Sequence, residues 1–215
     1  MTPLVLALPK GRVLAEAVEL LRAAGIDASA TLGDSRKLVF DLPGGEWRVL
    51  VVRGNDVPAY VQGGAADAGI AGIDVLWEQG ADVYEPLDLR IGGCRLVVAE
   101  PEDRPVRDEA VARLRVATKY PELTRRHYLG RGQQVDVIRL HGAIELAPLV
   151  GLSDRIVDLV DTGETLRQNK LRVVEEILPV TSRLVVNRAS LKTRAAALRK
   201  LLDDLERAVK ARTPR

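Results

Sequence analysis

Short, continuously apolar runs rich in branched residues recur along this chain, and they restrict its folds more than any other feature. They are LVLAL (4–8), RVLVV (48–52), RLVVA (95–99), RVAT (115–118), VDVIRL (135–140), RIVDLV (155–160) and RLVVN (183–187). A strand with one wetted face alternates apolar and polar residues. A run without alternation belongs to a strand covered on both faces. Helical spacing lies between several of these runs: after ALPKGR, Leu14, Ala17, Val18 and Leu21 share one face, and Gly25 supplies a stop. Strands alternating with helices predict an α/β fold with mainly parallel sheets. The 215 residues suffice for one large domain or two small ones with cores of their own.

Two further segments bear on organisation. AEPEDRPVRDEA (99–110) is the most polar, proline-bearing interruption, and it reads either as a domain boundary or as a long surface loop. Towards the C-terminus Leu191, Ala195, Leu198, Leu202, Leu205 and Val209 recur at alternating four- and three-residue spacing through a charged helix. That stripe packs on its own domain or forms a subunit contact.

Charge and cysteine content exclude several function classes. The 32 basic and 30 acidic side chains nearly cancel, so the net charge of +2 gives no reason to expect nucleic acid or membrane as the main partner. Cys94 is the only cysteine, which rules out an intrachain disulfide and a Cys-based zinc site; it reads most simply as a core residue. MTPLVLALPKGR lacks the basic start and longer apolar core of a signal peptide. No apolar run approaches the roughly 20 residues that span a bilayer. A cytoplasmic, reducing location is expected.

The stretch VDLVDTGETL (157–166) carries the most chemistry. An apolar strand running into a Thr-Gly turn that opens a helix aims backbone N–H groups at one point, an arrangement that binds phosphate. Gly163 allows close approach of a ligand because no Cβ intervenes. Thr162 and Thr165 offer hydroxyl donors. Asp158 and Asp161 would repel a bare phosphate, but they suit a ligand that also presents sugar hydroxyls or carries Mg²⁺. A phosphorylated sugar meets both demands. Taken alone, the same turn is more often an Asp N-cap than a binding loop.

Cations at other strand ends strengthen the ligand reading. ALPKGRV places Lys10 and Arg12 where a strand gives way to a helix, DSRKLVF adds Arg36 and Lys37, and VVRGNDVPAY adds Arg53. Ligands of open α/β sheets sit outside the carboxyl ends of strands, so these side chains are placed to take a pyrophosphate or triphosphate. Any one of them taken alone is more often a solvated surface charge than a functional group. GGAADAGIAGIDVL (63–76) permits close backbone approach and ends near Asp74, yet it does not match G-x-G-x-x-G. Walker and H-E-x-x-H patterns are absent. His127 and His141 read as packed or solvated rather than catalytic.

ALPKGR, DVPAYVQGGAADAGIAGIDVL, YEPLDLRIGGCRLVVA, ATKYPELTRRHYLG, LHGAIELAPLVGLSDRIVDLVDTGETL and SRLVVN occur here in an order and spacing that resemble the ATP phosphoribosyltransferase family, from about Leu4 to Asn187. The resemblance implies two α/β domains similar to type II periplasmic binding proteins, with the active site in the interdomain cleft. It implies a discontinuous first domain, 1–91 with 179–215, on the nucleotide side, and a second domain, 92–178, that binds 5-phosphoribosyl-1-pyrophosphate (PRPP). By the same resemblance Asp158, Asp161, Thr162, Gly163, Glu164 and Thr165 form the PRPP site, with the 5-phosphate on 162–165 and Asp158 near the ribose hydroxyls. Lys10, Arg12, Arg53, Asp74 and Glu145 would line the ATP site. Arg12 and Arg36 would be the catalytic cations, the latter able to come from a neighbouring subunit.

The implied reaction joins N1 of ATP to the anomeric carbon of PRPP and releases pyrophosphate, the first step of histidine biosynthesis, with Mg²⁺ carried mainly by the substrates. The chain resembles the short form of the family. Implied partners are a second catalytic chain in a homodimer and a regulatory subunit resembling histidyl-tRNA synthetase; histidine sensing would require that subunit. The sequence departs from the family pattern at Ile73, where a basic residue is frequent, at Ala143, where Ser is usual, and at Lys170, where Gly often ends the helix. Two other functions remain open on the residues alone: a small-ligand binding module on the same fold, and a salvage enzyme that joins a free nucleobase to PRPP.

Overall fold

The branched apolar runs become the strands of two separate sheets. The computed structural model describes residues 2–33, 36–104 and 113–212. The chain divides into two units, 1–92 with 181–215 and 93–180. In chain order the first unit opens with β1 (Leu4–Lys10), α1 (Arg12–Ala23), β2 (Val39–Asp41), β3 (Trp47–Arg53), α2 (Val57–Gln62), β4 (Ala68–Gly72), α3 (Ile73–Gln79) and β5 (Tyr84–Asp88). The second unit holds β6 (Cys94–Pro101), β7 (Leu114–Thr118), α4 (Pro121–Leu129), β8 (Val135–Arg139), α5 (Leu146–Leu149), β9 (Arg155–Val160), α6 (Glu164–Gln168) and β10 (Leu171–Val180). The chain then returns to the first unit as β11 (Ser182–Val186), α7 (Ser190–Thr193) and α8 (Ala195–Arg212).

The first unit's sheet has the order β2-β3-β1-β4-β11-β5. β1 pairs in parallel with β3 and β4, while β2, β11 and β5 are antiparallel to their neighbours. Parallel strands thus form the centre of a mixed sheet. Both faces are covered, as the lack of alternation requires. Leu6 and Leu8 of β1 join Leu20 and Leu21 of α1 and Leu201 and Leu205 of α8 in one core. Ala7, on the opposite face of β1, joins Val57 and Val61 of α2 and Leu76 of α3 in another. β4 can lie under α2 because Gly69 has no side chain: a Cβ there would stand 2.8 Å from Val57 Cγ1 and 2.9 Å from Val61 Cγ2. α8 buries Leu198, Leu201, Leu205, Ala208 and Val209, so the apolar stripe of the C-terminal helix is spent on its own unit.

The second unit's sheet has the order β10-β6-β9-β7-β8. β7 is parallel to β8 and β9, whereas β6 runs antiparallel to β9 and β10. Its core gathers Val97, Ala99, Ala117, Ile144, Ile156, Leu166 and Leu171. Glu100 is 2% exposed and would be an uncompensated charge, but Arg155 Nε donates to it at 3.0 Å and Arg172 Nη2 at 2.8 Å. The polar segment 99–110 is not a division between units: its first residues finish β6, where Ala99, Glu100 and Pro101 are all buried, and 105–110 lie outside the described residues. Cys94 opens β6 half-buried rather than in the core. Among the described residues no helix is long and apolar enough to cross a membrane.

Candidate active site

In the first unit the parallel register brings strand-end cations together. Lys10 of β1 and Arg53 of β3 are register partners at the carboxyl ends of their strands, and both are exposed. Neighbouring strands lie about 4.8 Å apart, so two positive side chains leave the sheet edge side by side. The chain then turns at Gly11, whose φ of 108° is a backbone state that side chains disfavour. That turn starts α1 at once and puts Arg12 at the same edge. Arg12 Nη2 donates to the Gly92 carbonyl at 3.2 Å, and Gly92 N donates to Glu16 Oε2 at 3.1 Å. Arg12 therefore also ties down the segment where the chain leaves this unit.

Asp74 lies just past the carboxyl end of β4, which is parallel to β1 and so ends at this edge too. It is 4% exposed and folds back over Gly72, where a Cβ would strike its carboxylate. Ile73 is buried beside it, so this position, where the family often has a cation, contributes to packing instead. Arg36 is exposed and belongs to no helix or strand; the ammonium of Lys37 stands 5.1 Å above the Phe40 ring. An edge rich in Lys and Arg with one buried carboxylate suits a polyphosphate on the exposed side and a polar donor on the buried one.

In the second unit β9 ends at Val160 and the chain turns through Asp161, Thr162 and Gly163 into α6. Gly163 adopts φ 80°, ψ 4°, the left-handed state that glycine enters without strain. A Cβ there would meet only Val160 Cγ1, at 3.8 Å, so packing leaves this position open. Thr162 Oγ1 accepts weakly from Glu164 N at 3.4 Å. Leu166, 4% exposed, anchors α6 to the core, while Asp161, Thr162, Glu164 and Thr165 stay at the surface. Glu164 is turned along the helix, pairing with Arg167 and accepting from Gln168 Nε2 at 2.9 Å. Its side chain thus serves α6, and its backbone is what the turn offers a ligand.

Asp158 sits two residues before the end of β9 with its side chain 13% exposed. Burial pushes its carboxyl above the usual carboxylate range; Lys119 and the Leu159 N–H, which donates to Oδ1 at 2.9 Å, oppose the shift, and Glu145 adds to it. Glu145, at the start of α5, is therefore close to Asp158 in the second unit. A half-desolvated carboxylate with unfilled acceptor capacity is matched to hydroxyl donors such as a ribose diol. The structure thus gathers Lys10, Arg12, Arg53 and Asp74 at one sheet edge, and Asp158, Glu145 and the 161–165 turn in the other unit. Arg36 it sets apart in an irregular segment.

Sequence reasoning overlooked Lys119. It follows β7 directly, and its Nζ lies 3.9 Å from Asp158 Oδ2. The signal was present, a cation at the end of RVAT, the same pattern that singled out Lys10 and Arg53. His127 is half-buried on α4 with Nε2 3.3 Å from Glu175; burial pushes its pKa down, and the positive charge of Arg131 adds to the shift. That is a packed histidine. His141 is exposed. Lys170 and Ala143 have φ of 53° and 48°, and the first value supplies a physical reason for the glycine that often stands at the end of this helix.

A model of the ATP phosphoribosyltransferase family matches residues 53–207. An ATP phosphoribosyltransferase from Syntrophotalea carbinolica is 55% identical over 204 residues, which cover 94% of this chain and 93% of that relative. One from Alcanivorax borkumensis is 51% identical over 211 residues, covering 98% and 97%. Among solved structures, the ATP phosphoribosyl transferase (HisG:HisZ) complex from Thermotoga maritima contains a similar chain: TM-score 0.82, 33% identity, and coverage of 97% of this chain and 99% of that one. The alkanesulfonate-binding protein SsuA from Xanthomonas axonopodis pv. citri shares the fold alone, with a TM-score of 0.59 and 14% identity over 97% of this chain and 73% of that one.

Proposed function

This chain belongs to the ATP phosphoribosyltransferase family, and on that premise we propose that it transfers the phosphoribosyl group of PRPP to N1 of ATP, giving 1-(5-phosphoribosyl)-ATP and pyrophosphate as the first step of histidine biosynthesis. The observation that carries the reading from the residues is the turn after β9, an open left-handed Gly163 between two threonines with the buried Asp158 behind it. PRPP asks for this combination, a phosphate cradle beside an acceptor for sugar hydroxyls. The binding-module and nucleobase-salvage readings are not favoured, because relatives more than half identical over nearly the whole chain carry the transferase name.

The chemistry divides between the two groups of residues. The N1 lone pair of adenine forms a bond to C1 of the ribose while the bond from C1 to pyrophosphate oxygen breaks, its electron pair leaving with the pyrophosphate. Adenine N1 is already nucleophilic, so positioning outweighs proton transfer. Negative charge grows on the departing pyrophosphate, and Arg12, with Arg36 as a second candidate, is assigned to stabilise it. By the family resemblance Lys10, Arg53, Asp74 and Glu145 are assigned to ATP, the two cations to its triphosphate. Among the described residues no group of three or more His, Cys, Asp or Glu side chains could hold a metal ion. Magnesium typically keeps its waters and binds through substrate phosphates, so Mg²⁺ is assigned to the polyphosphates, whose charge it neutralises when bound.

The Thermotoga maritima structure is a complex of two named components. This chain is assigned to a similar hetero-oligomer, with a homodimer of catalytic chains and a regulatory subunit resembling histidyl-tRNA synthetase, in the cytoplasm. Feedback by histidine then acts through that subunit as a coupling between two sites. The test is product formation from PRPP with ATP or free adenine, with and without the regulatory subunit. Conversion of ATP alone is expected; conversion of adenine alone would replace the reading with nucleobase salvage.

A further inference from the structure

We propose that Lys119 is a positioning residue for the phosphoribosyl donor: its ammonium, at the end of β7, pairs with and orients the Asp158 carboxylate that receives the ribose hydroxyls. The proposal rests on the functional reading above for the identity of that donor. Its geometric basis is the register of β7 and β9. The two strands are parallel, with Thr118 opposite Val157, so the next residue of each, Lys119 just past β7 and Asp158 still within β9, lies at the same level. Lys119 Nζ lies 3.9 Å from Asp158 Oδ2, while Leu159 N holds Oδ1 at 2.9 Å. Oδ1 thus accepts one hydrogen bond and Oδ2 faces the ammonium as an ion pair, which orients the group and leaves lone pairs on both oxygens for a diol.

The surroundings show why a cation is needed there. Burial works against charge on Asp158, and Lys119 is the charged side chain that counters it, against the opposing influence of Glu145 on α5. β6, on the other side of β9, offers no help: its residue opposite Asp158 is the apolar Val97. In the turn beyond, Asp161 is exposed and Glu164 is engaged with Arg167. Lys119 itself is 43% exposed, so its core role is small. Thr118, beside it, is fully buried, and its hydroxyl donates to the Val157 carbonyl at 2.7 Å. That bond pins the two strand ends and so sets the Lys119–Asp158 separation.

A double-mutant cycle tests the proposal, using calorimetric titration of PRPP into the purified chain and steady-state kinetics with ATP. Lys119→Gln is expected to weaken PRPP binding roughly tenfold, the scale of one lost charge interaction at a desolvated carboxylate. KM for PRPP should rise while KM for ATP stays put, and Lys119→Arg should restore most of the loss. Asp158→Asn should weaken binding similarly, and adding Lys119→Gln to it should cost nothing more, because Lys119 acts through Asp158. An undiminished Lys119→Gln effect in the Asp158→Asn background would overturn the proposal by making Lys119 a direct ligand contact. Wild-type affinity in Lys119→Gln would overturn it too. A wild-type chain that binds no PRPP would instead remove the functional reading itself, and with it this role.

Discussion

Replacing Gly163 with Ala separates the backbone of the phosphate turn from its packing. Gly163 has φ 80°, and an added Cβ would meet nothing nearer than Val160 Cγ1 at 3.8 Å. No clash contributes to the stability change, so conformation alone sets it. Holding an L-residue in the left-handed region costs about 1–2 kcal/mol. Alanine recovers about 0.4–1 kcal/mol of that by restricting the unfolded chain. The net destabilisation is about 1 kcal/mol, which lowers the midpoint of thermal unfolding by roughly 2–4 °C for a chain of this length. Binding should suffer more, because the methyl group and any relaxation of the turn move the N–H groups that face the phosphate. PRPP affinity, measured by calorimetry on the same preparation, is expected to fall more than tenfold. Gly163→Asn serves as the control: asparagine tolerates the left-handed state, so its stability loss is smaller, while its side chain still occupies ligand space. A Gly163→Ala protein with a lowered midpoint and PRPP affinity within twofold of wild type would refute the cradle.

Three other perturbations follow from the same structure. Arg12→Ala should lower turnover roughly 10²–10³-fold, the loss of one preorganised electrostatic contact, while the unfolding midpoint falls only modestly, through the lost hydrogen bond to the Gly92 carbonyl; unfolding with retained specific activity would make Arg12 structural. Lys170→Gly should raise stability by about 0.5–1 kcal/mol in a chemical denaturation series, since the φ of 53° is strained for lysine and free for glycine, whose extra chain entropy offsets part of the gain. His127 has its pKa held below the ordinary 6.5 by burial, so the unfolded chain takes up its proton first as pH falls. Its contribution to stability is present above about pH 6.5 and lost below, and His127→Gln should flatten that slope in melts across pH 5–8.

The central strands were legible because burial on both faces removes alternation, and β9 shows it best: the apolar run 155–160 is the strand Arg155–Val160. β4 was hidden for the opposite reason. Its sequence AGIAG has almost no large side chain, since Gly69 must admit Val57 and Val61, and small residues carry no periodic signal. β10 was masked by its place at the sheet edge, where Glu175 and Glu176 face polar surroundings and break the apolar run. Strand direction was not legible either, because a run of apolar residues reads the same both ways. Composition left 99–110 open as a domain boundary or a surface loop, whereas the units part at 92/93 and 180/181, where the links between strands are short.

At the candidate site, the turn at 161–165 was readable because glycine and threonine are the residues such a turn needs. The partner of Asp158 was not, since pairing Lys119 with it requires knowing that β7 and β9 are adjacent and parallel. Asp74 likewise became distinctive only once the fold showed it almost fully buried over Gly72.

The central claim is that one bond forms, between N1 of ATP and C1 of the ribose, and it can be read directly from the product. ATP labelled with ¹⁵N at N1 and PRPP labelled with ¹³C at C1 are incubated with the purified chain and Mg²⁺, and the product is examined by NMR. A one-bond ¹³C–¹⁵N coupling, appearing together with one pyrophosphate for each nucleotide consumed, is the expected result. Labelled carbon found only in free ribose 5-phosphate, or attached to another nitrogen of the adenine ring system, would contradict it.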